Sequence, residues 1–386
     1  MLTKQDIKKD LNENITYLKT SDIELKTKST SPKLTAKNTT SARQKALAFI
    51  SNPITIKYKD SNYEFSTDEI ATWILFTEKK SSAEIDILSA DLDETKIKNA
   101  LGTKVDGIES EPQDVKLAFQ NNQLVVLEKS RSGYGINYDQ LVNDLDRTMQ
   151  KTENRLVNLK LSVTKPTISE NNLDSLGIKE LIGEGLSSSS GSTRNRLKNI
   201  DVGTSKLQGY LIKPDEVFSL NTILGPIDGE HGFVPELVIK ENKTIPEFGG
   251  GLCQVATTTF RAALMSGLPI VERKNHAYRV HYYEWPYGPG VDATIYPPHP
   301  DVQFKNDTGH YILIQTRVEG YKIYYDFYGT KNGREGKINK PVILWAKSDG
   351  SLATSFARDI IINGAITHTD TFKSIYRSPA LYPTSR

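Results

Sequence analysis

Residues 247–260 read EFGGGLCQVATTTF and hold the only cysteine of the 386-residue chain. Glycine has no Cβ, tolerates positive φ and lets other backbone come close. Three glycines in a row therefore predict a sharp turn, and the residues after them predict a helix. In CQVATTTFRAALMSG, Val255, Phe260, Ala263 and Leu264 fall on one helical stripe, and Gly267 supplies the stop. Cys253 then sits in the first turn, where free N–H groups and the helix dipole favour a thiolate. The same amides are suited to hold a developing oxyanion. Gly249, Gly250, Gly251, Gln254 and Thr257 are the candidate oxyanion or substrate-binding residues. The competing reading is structural, because free cysteine is among the most buried residue types and packs as a small hydrophobe.

A thiolate nucleophile needs a base that also protonates a leaving group, and histidine is the usual choice. Downstream, VERKNHAYRVHYYEW supplies His276 and His281, and GVDATIY supplies Asp292, suited to orient an imidazole if these segments pair. His281, set among aromatic residues, reads as an ordinary strand histidine. The glycine run lacks the Gly-Lys-Ser/Thr of a P-loop and the GxGxxG spacing of dinucleotide sites, so no nucleotide is expected. The six histidines show no HExxH spacing, and one cysteine permits neither an internal disulfide nor a cysteine-based zinc site. No metal and no cofactor are expected.

The bulk numbers bound the rest. A chain of this length predicts two or three domains. With 37% hydrophobic and 25% charged residues it is expected to fold, and wholesale disorder is not expected. Basic and acidic residues nearly balance, 49 against 47, which argues against a nucleic-acid partner. No apolar run approaches the roughly 18 residues of a membrane span. The opening MLTKQDIKKDLNENITYLKT lacks the apolar core of a secretory signal.

Residues 10–35 align without a gap on residues 144–169, with Asp10/Asp144, Leu11/Leu145, Leu25/Leu159, Lys26/Lys160, Thr30/Thr164 and Pro32/Pro166 identical. The pattern is a helix end, a strand and a Thr/Ser/Pro linker, and a repeat is the better explanation. On this reading residues 1–44 are the tail of an earlier domain copy plus a linker, and any signal or membrane anchor lies upstream.

Residues 45–165 then form one α+β domain. Within it PITIKY and YEFS read as a strand pair, STDEIATWILF as a capped helix and AEIDIL as a strand. SADLDETKIKNALGTKV reads as a second helix, KLAFQNNQLVVLEK as a hairpin about Asn121-Asn122, and NYDQLVNDLDRTMQK as a third helix. Residues 166–190 are expected to be a linker, with the Ser/Gly-rich EGLSSSSGS of 184–192 marking the boundary or a mobile loop. A β-rich domain follows over 191–335, with strands expected in VDATIYPP, DVQFKND, YILIQTRVEG and YKIYYDFYG. Residues 336–386 are expected to be a C-terminal β extension with a hairpin about Asn363-Gly364.

GYLIKPDEVFSLNTILGP, PEFGGGLCQVATTTFRAAL, GLPIVERKNHAYRV, GVDATIY and DVQFKNDTGHYILI together resemble, in order and spacing, the VanW family of bacterial cell-envelope proteins. The resemblance covers about residues 190–335. Residues 50–150 are similar to the peptidoglycan-binding domain that often precedes a VanW domain, sometimes in tandem. The resemblance implies an extracytoplasmic protein whose partner is peptidoglycan and its stem peptides. Some VanW domains are reported to act as L,D-transpeptidases that form 3-3 cross-links through a cysteine. Carried to this chain, that role implies Cys253 as nucleophile, His276 as base and Asp292 as its neighbour. Ala256 stands where the family usually has serine, and the His-Gly-Cys signature of the better-known L,D-transpeptidases is absent. The alternative is a non-catalytic wall-binding module, in which the glycine turn grips a peptide carboxylate.

Overall fold

The computed structural model describes residues 32–81, 85–105, 107–240 and 243–383. Residues 10–31, which carry most of the first repeat copy, lie outside the described residues. The fold is mixed α+β, as the sequence predicts. The chain divides into two compact units: the described residues up to Pro112 with Ser132–Lys165, and Gln113–Arg131 with Pro166 onward.

In the first unit, Ile54–Tyr58 pairs antiparallel with Ser61–Phe65 and parallel with Leu156–Asn158. Ile54, Ile56, Phe65 and Val157 point inward from these strands. The helices Ala36–Phe49, Thr67–Trp73, Glu94–Gly102 and Tyr138–Met149 add Phe49, Ile70, Trp73, Ile97, Leu101, Leu141, Leu145 and Met149 to one core. Three helix starts carry side-chain caps. Ser66 forms a reciprocal capping box with Glu69, Asp93 accepts from Lys96 N–H, and Asn137 accepts from Gln140 N–H. The STDEIATWILF helix is shorter than predicted. It stops at Trp73, and Ile74–Lys80 becomes a strand against Asp86–Leu92, where branched and aromatic side chains are better accommodated.

The hairpin about Asn121 and Asn122 forms with both residues at positive φ. It belongs, however, to the second unit and not to the 45–165 domain in which the sequence places it. Leu117 and Phe119 pack with Leu176, Ile178 and Leu313, and Phe119 N–H donates to Gln315 Oε1 at 2.8 Å. Packing against a distant partner is invisible to local pattern.

The second unit is built on a four-stranded antiparallel sheet in the order Glu180–Ser188, Lys322–Gly329, Ile312–Glu319, Leu211–Ile212. This corrects the linker expectation for 166–190. Glu180–Ser188 is a full strand, and its small residues serve packing. A Cβ on Gly185 would stand 2.1 Å from Thr258 O, and one on Gly183 would stand 2.2 Å from Ser266 Oγ. Glycine thus lets the Leu252–Met265 helix lie directly on the strand, and Ser187 Oγ meets Thr258 Oγ1 at 2.6 Å. The helix is buried on nearly every face, with Val255, Ala256, Phe260, Ala263 and Leu264 in the main core. Ala256, where the family usually has serine, is fully buried in that core.

A small sheet of Val217–Ser219, Gln303–Lys305 and Ile270–Glu272 flanks this core. The segment VDATIYPP, expected as a strand, is instead irregular, held by the single bridge Lys274↔Thr294. The C-terminal sheet pairs Leu352–Ile362 with Ala365–Tyr376 through the predicted Asn363-Gly364 turn, with Arg334–Ile338 and Val342–Ala346 on the other side.

Candidate active site

The three glycines form the sharp turn that the sequence predicts. Gly249 and Gly251 have φ of 86° and 112°, and Gly251 is the N-cap of the Leu252–Met265 helix. Gly250 is closed to any side chain, since a Cβ there would lie 2.8 Å from Glu236 and from Leu237 O. Within the turn, Leu252 N–H donates to Gly249 O and Gln254 N–H to Gly251 O. The Cys253 amide has no protein partner among the described residues.

The helix is pinned so that its first turn faces a cavity. Thr257 Oγ1 donates to Ala293 O and accepts from Ala293 N–H, both at 3.1 Å. The buried Arg261 donates from Nε to Val291 O at 2.9 Å and from Nη1 to Leu186 O and Trp285 O at 2.7 and 2.9 Å. These bonds lash the 283–293 segment to the helix and bring Asp292 and Thr294 beside its N-terminus. The cavity, about 750 Å³, is lined by Gly249–Cys253, His276, Thr294 and Ile295 at its reactive end. Tyr278, Tyr282, Tyr296, Leu237 and Phe248 supply apolar wall, and Arg196, Lys274, Glu236 and Glu247 supply charge of both signs.

Cys253, His276 and Asp292 meet. His276 Nδ1 lies 2.5 Å from Asp292 Oδ2, which also accepts from the His276 amide at 3.0 Å. The imidazole stacks on Tyr283 with centroids 4.5 Å apart. His276 is 3% exposed and Asp292 4%, while Cys253 is partly exposed. His276 Nε2, the nitrogen turned from Asp292, is buried, and Cys253 is the titratable group beside it. Thr294 Oγ1 stands 3.2 Å from Cys253 Sγ.

The electrostatics follow from this contact. Burial alone would push the Cys253 thiol up, but the adjoining His276 charge, with Thr294 and the Ile295 amide, brings it down to about 7. Burial would likewise push His276 down, but the Cys253 thiolate and the Asp292 carboxylate hold it up at about 9. Asp292 is pulled well below the usual carboxylate range: burial opposes this, and His276, Arg273 and Tyr376 outweigh it. Between these limits the stable pair is thiolate and imidazolium, coupled as one titrating unit.

Two candidates of the sequence reading sit elsewhere. Gln254 and Thr257 do not line the cavity. Both are fully buried on the helix's inner side, where Gln254 Oε1 accepts from Arg196 Nη2 at 2.9 Å and Thr257 bonds Ala293. They hold the walls of the cavity. His281 is no strand histidine: it starts a single 3-10 turn, His281–Tyr283, is 77% exposed at the side chain, and lies 3.0 Å from Glu284. The stacked histidine is His276.

The sequence reading did not single out Thr294, the Ile295 amide, Arg273, Tyr283 or Tyr376. For Thr294 a signal existed, because Asp292 and Thr294 are two apart in an extended segment and so share a side. Nothing local marks Tyr376.

Residues 195–328 match the family model described as "VanW like protein", and residues 54–158 match "Putative peptidoglycan binding domain". The uncharacterized protein YoaR of Bacillus subtilis is 32% identical over 151 residues, 39% of this chain and 48% of that protein. The vancomycin B-type resistance protein VanW of Enterococcus faecalis is 28% identical over 163 residues, 41% of this chain and 55% of that protein. The chain thus spans about half the length of the curated relatives it matches. A solved structure, the Ldtfm–avibactam carbamoyl enzyme, covers 55% of this chain and 85% of its own at 11% identity, with a TM-score of 0.21, too low to bear on fold or chemistry. The chain carries a VanW-like domain at residues 195–328, preceded at residues 54–158 by a domain of the peptidoglycan-binding kind.

Proposed function

We propose that this chain is a cell-envelope protein that acts on peptidoglycan, with Cys253 as the nucleophile of an L,D-transpeptidase-like acyl transfer. The observation that carries the reading is the Cys253–His276–Asp292 chain, a buried imidazole between a carboxylate and a low-pKa thiol at the wall of a cavity. The preceding domain and the VanW relative support peptidoglycan as the partner. No helix among the described residues is long and apolar enough to cross a membrane.

The Cys253 thiolate attacks a carbonyl carbon of a donor stem peptide, and the Cys253 amide at the helix start supports the oxyanion. His276 Nε2–H gives its proton to the departing amine as the C–N bond breaks, leaving a thioester. An amine of a second stem then attacks the thioester. His276 takes its proton, the new amide forms, and the thiolate is released. Asp292 fixes the imidazole with Nδ1–H toward itself, which leaves Nε2 for the exchange.

The test is intact-mass spectrometry after incubation with tetrapeptide-bearing muropeptides, followed by muropeptide analysis. An acyl adduct on the wild-type chain and new 3-3 cross-links are expected. Cys253→Ala should fold and bind sacculi yet form neither. Unchanged cross-linking in Cys253→Ala would end the transpeptidase reading and leave wall binding.

A further inference from the structure

The Asp292 carboxylate is held from a part of the chain beyond the VanW-like match, which ends at residue 328. Tyr376, 2% exposed, closes the strand Ala365–Tyr376 and donates its hydroxyl to Asp292 Oδ1. The same strand end grips both segments that form the site. Ser374 Oγ donates to Gly290 O at 3.1 Å and accepts from Arg273 Nη2 at 3.0 Å. Asn275 Nδ2 donates to Ile375 O at 2.9 Å, and Arg377 N–H donates to Ala277 O at 2.8 Å. The residues on either side of His276 are therefore stitched to residues 375 and 377, while Tyr376 between them reaches the carboxylate.

We propose that Tyr376 is a positioning residue of the Cys253 site, holding Asp292 in the orientation that directs His276 Nε2 at the thiol. This rests on the reading of Cys253 and His276 as a reactive pair. A carboxylate with both oxygens engaged cannot turn: Oδ2 takes His276 N–H and Nδ1–H, and Oδ1 takes the tyrosine hydroxyl. The other donor to Oδ1, Arg273 Nη2, is 3.4 Å away and is mainly committed to Gly290 O at 2.6 Å. Without the hydroxyl, a buried oxygen keeps one long contact, and rotating toward Arg273 satisfies it at the expense of His276.

The imidazolium then loses part of its counter-charge, so His276 falls and the Cys253 thiol rises. Other charged or titratable groups around the carboxylate are Arg261 from the helix and Tyr283 from the 3-10 turn, with the Arg279–Glu284 pair lining the small void between Asp292 and Tyr376. All of them stay in place when only the hydroxyl is removed.

The experiment is the pH profile of iodoacetamide labelling at Cys253 in the full chain, read by intact mass, with thermal unfolding in parallel. Tyr376→Phe should keep its melting temperature within a few degrees and raise the labelling midpoint by about half a unit to one unit. That corresponds to roughly three- to tenfold slower labelling below the midpoint. p-Aminophenylalanine at position 376, which keeps a donor in the same place, should restore the wild-type profile. Asp292→Asn should raise the midpoint further. A shifted Asp292→Asn profile beside an unshifted Tyr376→Phe profile would overturn this inference alone. So would a Tyr376→Phe chain that fails to fold while the amino variant folds with a displaced midpoint. A wild-type midpoint near the ordinary thiol value of about 8.5, unmoved by His276→Gln, would instead overturn the reactive-pair reading.

Discussion

Both units bury arginine side chains, and Arg155 of the first and Arg273 of the second differ in where their hydrogen bonds end. In the first unit Arg155 donates to Phe49 O at 2.8 Å, Asn52 O at 2.7 Å and Lys151 O at 2.9 Å, and also to the Ala48 and Met149 carbonyls. Those acceptors include carbonyls at the ends of two helices, which lack intrahelical donors. No carboxylate, thiol or imidazole takes part. In the second unit the Arg273 side chain is 5% exposed and bonds to Asp292, whose other oxygen holds His276, which in turn adjoins Cys253 at a cavity. A buried cation whose donors end on carbonyls and one hydroxyl is a staple. One that also touches a carboxylate joined to an imidazole and a thiol at a cavity belongs to a set of coupled titratable groups.

The sharpest way to break this contrast is His276→Gln. Without the imidazolium only Thr294 and the Ile295 amide still oppose burial at the thiol, and its pKa should rise to about 8.5 or above. Iodoacetamide labelling at pH 7 should then fall by on the order of tenfold to a hundredfold. Labelling that stays at the wild-type rate would remove the reason for treating the second network as chemistry.

Arg155→Met tests the other side. It strands several buried carbonyls in the first unit and should cost about 3 kcal/mol by thermal or denaturant unfolding. The Cys253 labelling midpoint should not move. A moved midpoint would mean that the staple of the first unit also governs the thiol, and the contrast would fail.

The smallest effect belongs to His281→Ala. The side chain is exposed beside Glu284, and pairs of that kind contribute about 0–1 kcal/mol. Stability within about 0.5 kcal/mol of wild type and an unchanged labelling profile are expected. A large loss of cross-linking in this variant, with His276→Ala mild, would exchange the roles of the two histidines.

Much of the architecture was legible locally. Ser66, Asp93 and Asn137 cap helices because short polar side chains satisfy free amides, and Asn121-Asn122 and Asn363-Gly364 turn because their residues accept positive φ. The placement of Cys253 at a helix start follows from three glycines and an apolar stripe, both within fifteen residues. The misreadings share one cause. EGLSSSSGS resembles a linker by composition, yet Gly183 and Gly185 are small because the Leu252–Met265 helix lies on them, a contact made far along the chain. The Asn121-Asn122 hairpin was legible as a hairpin, but its unit depended on Leu313 and Tyr328.

The sequence by itself determined the reactive groups available: one thiol, a histidine and an aspartate in short motifs, and a turn able to place the thiol at a helix N-terminus. Only the tertiary structure showed that His276 stands between Cys253 and Asp292, that Gln254 and Thr257 face inward, and that Tyr376 completes the hold on Asp292. The physical reason is range. Capping, turn chemistry and periodicity act over a few residues and are written in them, whereas a pKa near 7 for Cys253 depends on groups brought together from residues 253, 276, 292 and 376.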